Sequence, residues 1–110
     1  MRQMRHPPIE DVELEQVFHA LSDPMRLGIV RKLAGSAELS CAALEDGRAK
    51  SSVSHHFRVL RDSGLIRTRP EGTTHMNSLR RAELDARFPG LLGAVLAVSP
   101  PPCDTPPRDD

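Results

Sequence analysis

The chain has 110 residues, 38% of them hydrophobic, with no Trp or Tyr and only three Phe, so it has room for one domain with a modest aliphatic core. No apolar run approaches the ~18 residues of a membrane span and the first residues lack the apolar stretch of a signal peptide, so a cytoplasmic protein without membrane contact is expected. The formal net charge is zero, yet residues 1–47 carry five Lys/Arg against eight Asp/Glu, 48–81 eight against two, and 82–110 two against five; a basic middle third is the footprint of a surface that meets phosphates.

Residues 1–8, with two prolines and no apolar period, read as a flexible N-terminal arm, and residues 99–110 as a disordered Pro-rich tail. The folded unit is then 9–98. From Glu10 an acidic first turn precedes Leu14, Val17, Phe18 and Leu21 at helical spacing, which predicts a first helix. Ser22-Asp23-Pro24 ends it and starts a second, with a capping side chain before a first-turn proline; Leu27, Val30 and Leu33 form its stripe and Gly35 its end. Ser40 caps a short third helix, Cys41 to about Asp46, anchored by Leu44 and stopped by Gly47.

Ser51 caps a fourth helix in which Val53, Phe57 and Leu60 face inward and Gly64 supplies the left-handed end. Three or four residues between the third and fourth helices is helix-turn-helix spacing. Leu65 to Arg69 and Thr73 to Leu79, flanking Pro70-Glu71-Gly72, predict a two-stranded hairpin. Glu83 to Phe88 is expected as a helical turn, and Pro89-Gly90 opens a last helix carrying Leu91, Leu92, Val95, Leu96 and Val98. The expected architecture is mainly α, a winged helix-turn-helix of about five helices plus a hairpin wing.

In a helix-turn-helix the first residues of the second helix meet base edges in the major groove of double-stranded DNA. Ser52, Ser54, His55 and Arg58 are the candidates for base contact, with Lys50 and Ser51 nearer the phosphates; Arg67 and Arg69 on one strand and Arg80 and Arg81 after the other are the candidate wing contacts. His55 and His56 point about 100° apart on a helix, so His55 is read as outward and His56 as partly packed. An enzyme is disfavoured: Cys41 and Cys103 have no neighbouring base, and no carboxylate pair or glycine-rich phosphate loop occurs. The two cysteines also lack metal-type spacing and are not expected to form a disulfide.

Ala20 to Val30, Glu38-Leu39-Ser40, Ser51 to Ile66 and Pro70-Glu71-Gly72 together resemble the ArsR-type (ArsR/SmtB) family of winged helix-turn-helix regulators over about residues 15–80. The resemblance implies a bacterial transcriptional regulator that binds a palindromic operator as a homodimer built from the first and last helices, typically repressing and responding to a metal or another signal. Leu14, Val17, Phe18, Leu91, Leu92, Val95 and Leu96 are the expected dimerisation residues, since so short a chain leaves apolar faces for a second copy.

The thiolate pair of metal-sensing members is missing from Glu38-Leu39-Ser40-Cys41-Ala42-Ala43, and no His follows His75 to build the family's site on the last helix. His6, His19 and His75 remain, with Glu10, Asp11, Glu13, Glu15 and Asp85 as oxygen donors; such donors suit nickel or zinc, with His6 and His19 the candidate ligands across two subunits. The alternative is a regulator without its own metal site, controlled by a partner protein or another ligand, with the Pro-rich tail as an extended recognition segment.

Overall fold

Asp23 and Pro24 divide the N-terminal half as their chemistry demands. The computed structural model describes residues 5–45 and 50–98. Helix α1 runs Leu14–Leu21 and helix α2 Pro24–Ala34; the Asp23 carboxylate accepts from the Met25 and Arg26 N–H groups at 2.9 and 3.1 Å, with Pro24 in the first turn. Helix α1 begins later than Glu10. The Asp11 and Val12 N–H groups bond back to the Pro8 and Ile9 carbonyls, closing a separate 3-10 turn over Ile9–Asp11, and Val12 is extended. In α2 the buried face is Arg26, Ile29, Val30 and Leu33, whereas Leu27 is only half-buried.

A two-residue strand, β1 (Leu39–Ser40), leads into α3 (Cys41–Glu45), where Ser40 Oγ accepts from the Ala43 N–H and Leu44 is buried. The expected last helical residue Asp46, the stop Gly47 and the turn residues through 49 lie outside the described residues. Helix α4 runs Lys50–Asp62, starting one position before the expected cap Ser51, and buries Val53, Phe57 and Leu60. It closes with the Leu65 N–H on the Leu60 carbonyl and the Gly64 N–H on the Arg61 carbonyl, a paired C-terminal motif that needs positive φ at Gly64 (84°). A Cβ there would also run into the Val12 side chain.

Strands β2 (Ile66–Glu71) and β3 (Thr74–Leu79) pair antiparallel from Ile66↔Leu79 to Glu71↔Thr74. The turn is therefore Gly72-Thr73, with Gly72 at φ 63°, and Pro70 sits inside a strand opposite His75. Proline is tolerated because the sheet order is β1-β3-β2, which leaves β2 an edge. The third strand, β1, is absent from the sequence expectation because two residues carry no period. Buried Asn77 on β3 welds the sheet: it accepts from Thr68 Oγ1 at 2.7 Å and donates to the Leu39 carbonyl at 3.3 Å and Cys41 Sγ at 3.2 Å.

Helices α5 (Arg81–Arg87) and α6 (Leu91–Ala97) complete the described chain; α5 is a full helix where a single turn was expected. One core joins Val12, Val17, Ala20, Ile29, Val30, Leu33, Leu44, Val53, Phe57, Leu60, Leu65, Ile66, Leu84 and Leu92. Val17 and Leu92, expected on a dimer surface, are 0% and 1% exposed and belong to this core, whereas Leu14 and Phe18 are 39% and 51% exposed. Leu91, Val95 and Leu96 are half-buried. No helix among the described residues is long and apolar enough to cross a membrane.

Candidate nucleic-acid interface

The α4 helix presents two chemically distinct faces. Val53, Phe57 and Leu60 point into the core, and Ser52, Ser54, His55 and Arg58 are exposed on the other side. These are the side chains expected to meet base edges, and all four are exposed. Lys50 and Ser51 stand in the first turn; their side chains lie outside the described residues.

What holds this helix in place was not anticipated. Arg26, buried on α2, donates through Nε to the Ala20 carbonyl at 2.8 Å, through Nη2 to the His19 carbonyl at 3.2 Å, and through Nη1 to His56 Nδ1 at 3.1 Å. One guanidinium thus bonds two carbonyls in the last turn of α1, where a cation also suits the helix dipole, and grips α4. Asp23 lies 3.9 Å from the same imidazole nitrogen. Burial acts against the Asp23 charge, but the N–H bonds from Arg26 and Met25 and the neighbouring Arg26 charge hold its carboxyl below the ordinary value. The spacing of Asp23, Pro24 and Arg26 marks a helix start; that Arg26 also reaches α4 depends on how α1 and α2 cross.

The wing arginines divide differently from the expectation. Arg80 is corrected: its side chain is 2% exposed, it donates to both Glu83 carboxylate oxygens at 2.9 and 3.2 Å and to the Pro7 carbonyl at 2.9 Å, and it is a structural group rather than a phosphate contact. Arg67 and Arg69 do alternate outward on β2, but Arg67 lies 3.2 Å from Glu83 and Arg69 is held by Glu38 and Glu71. Arg81 is exposed and paired with Asp85 at 3.1 Å. The Arg80 fork holds the Glu83 carboxyl below its ordinary value of 4.5.

His6 and His19 occupy different surroundings. His6 Nε2 accepts the Thr68 N–H at 2.9 Å on the free edge of β2, so this part of the expected arm is docked. Burial and the charges of Arg67, Arg80 and Arg61 push the imidazole below its ordinary value, a setting that opposes cation binding. His19 is exposed on α1. Among the described residues no three His, Cys, Asp or Glu side chains form a group able to hold a metal. Cys41 is half-buried with a free thiol; Cys103 and the tail lie outside the described residues.

The helix-turn-helix domain family matches residues 21–69, which span α2 to most of β2. The chain is 41% identical over 80 residues to the HTH-type transcriptional regulator YceK of Bacillus subtilis, covering 70% of this chain and 80% of that protein. To the arsenical resistance operon repressor of Staphylococcus xylosus it is 36% identical over 74 residues, 66% of this chain and 71% of the repressor. The crystal structure of an ArsR family transcriptional regulator superimposes with a TM-score of 0.62 at 28% identity, covering 76% of this chain and 88% of that one. HlyU from Vibrio cholerae gives 0.61 at 29% identity, over 76% and 91%. Fold, α4 surface and relatives agree: the chain belongs to the ArsR-type family of winged helix-turn-helix DNA-binding transcriptional regulators, which are not enzymes.

Proposed function

We infer that the chain binds a palindromic operator as a homodimer and represses transcription, each α4 entering a major groove through Ser52, Ser54, His55 and Arg58. The observation that carries this reading is the segregation of α4 into a buried apolar face and an exposed face of hydroxyls, an imidazole and a guanidinium. The dimer is supported by exposed Leu14, Phe18 and Val98, beside half-buried Leu91, Val95 and Leu96. A two-fold dimer places two reading helices about one DNA turn apart, which a palindrome matches. Repression is supported by the name of the staphylococcal relative.

Regulation has two forms. A nickel or zinc effector would require His6 or His19 to find ligands on the second subunit. Control by a partner protein or another ligand needs no metal site. The test is titration of the purified protein into DNA upstream of its own gene, with and without nickel or zinc, alongside sedimentation. Two-fold binding shifted by metal and lost in His19→Ala supports the metal form. Binding indifferent to metal assigns control to a partner or ligand, and a monomer that fails to bind sinks the reading.

A further inference from the structure

Arg69 stands on the exposed face of β2, and every side of its guanidinium already faces a carboxylate. Nε and Nη2 donate to Glu38 Oε2 and Oε1, both at 2.7 Å, as a bidentate fork. Nη1 lies 2.6 Å from Glu71 Oε1. A phosphodiester offers the same paired oxygens, so these carboxylates occupy the donors that a DNA backbone would take. The Arg69 fork holds the Glu38 carboxyl below its ordinary value, which keeps it charged into mild acid. One cation against two anions leaves the cluster net negative.

The cluster is assembled by the fold. Glu38 precedes β1, Arg69 and Glu71 lie on β2, and β3 runs between, with Met76 paired to Ser40 on one side and Arg69 on the other. The clamp therefore spans the sheet. Its side chains are 49%, 31% and 61% exposed for Arg69, Glu38 and Glu71, and ion pairs in water are weak enough for a phosphate to exchange with a carboxylate.

We propose that Glu38 and Glu71 are built-in counter-anions of Arg69 that lower the affinity of the wing for any DNA backbone and leave discrimination to α4. The inference rests on the reading that the wing meets DNA. Backbone contacts supply most of non-specific binding, whereas base contacts set preference. Masking one wing cation therefore lowers the affinity for operator and unrelated DNA alike, and the ratio between them is set by α4.

The experiment titrates Glu38→Gln, Glu71→Gln and the double variant with two probes: a short duplex of unrelated sequence, across a range of salt, and the duplex upstream of the chain's own gene. Both substitutions preserve shape on exposed side chains, and a thermal melt checks folding. The double variant is expected to bind the unrelated duplex about fivefold more tightly, with a salt slope steeper by about one phosphate contact. Adding Arg69→Ala should erase the gain. Affinity equal to or weaker than that of the unmodified protein overturns the proposal, weaker binding making Glu38 a group that positions the wing. If the unmodified protein binds neither duplex and the variants bind neither, the DNA reading fails too, and its own titrations separate that failure from the first.

Discussion

Arg26 Nη1 and His56 Nδ1 lie 3.1 Å apart and tie the start of α2 to the middle of α4, the helix proposed to enter DNA. Arginine has only donors, so Nδ1 is the acceptor and the ring proton resides on Nε2. The same guanidinium bonds the His19 and Ala20 carbonyls at the end of α1, the helix that carries exposed Leu14 and Phe18. The pose of the reading helix is thus referred to the helix proposed for dimer contact.

Removing the acceptor at His56 leaves a buried cationic donor unpaired. His56→Leu is expected to lower stability by about 1–3 kcal/mol in urea denaturation and to weaken operator binding. His56→Asn, whose side-chain oxygen can stand where Nδ1 does, should recover most of both. A leucine variant as stable as the parent would show that the bond contributes nothing.

Gly64 answers two demands at once, positive φ at the end of α4 and close approach of the Val12 side chain. Gly64→Ala should cost about 1–3 kcal/mol, read as a lowered melting temperature. Adding Val12→Ala relieves the collision while keeping the backbone strain, so the two changes together should be less destabilising than their separate costs added.

Arg58 and Arg80 separate reading from folding. Arg58→Ala should weaken operator binding by about 1–3 kcal/mol with relaxed preference at one base pair and an unchanged melting temperature. Arg80→Ala should lower stability by about 1–3 kcal/mol, because the Pro7 carbonyl and Glu83 lose their buried donor, and any DNA effect should follow from that loss. Equal melting temperatures for both variants would contradict the buried assignment of Arg80.

The Arg80–Glu83 pair also sets an acid limb. Glu83 has a folded pKa depressed below 4.5, so the stability it contributes is present above that value and is lost as pH falls through the lower folded value. The unmodified protein should lose stability over that window, and Arg80→Ala should lose less. Denaturant titrations at a series of pH values read the difference, and parallel curves for the two proteins would rule it out.

Local chemistry was legible in the chain itself. The Asp23-Pro24 start, the Ser40 cap, the left-handed end at Gly64 and the α4 stripe of Val53, Phe57 and Leu60 are written in neighbouring residues, because helix caps and helical periods act within a few positions. The exposed face of Ser52, Ser54, His55 and Arg58 follows from the same period. Val17 and Leu92 lie in the core rather than on the surface the helical period suggests, because an apolar residue on a helix face looks alike whether its own core or a second copy covers it.

The fates of the arginines were decided by tertiary structure alone. Glu38 meets Arg69 across 31 positions of chain, Pro7 meets Arg80 across 73, and His56 meets Arg26 across 30. No local pattern encodes such pairings, so one basic stretch divides into a buried tie, clamped wing cations and an open reading face only when the sheet closes and the helices cross. Sequence determined where the elements begin, end and turn their apolar faces, because those are short-range effects. The fold determined which charges remain available, because a carboxylate neutralises the cation that packing brings within reach.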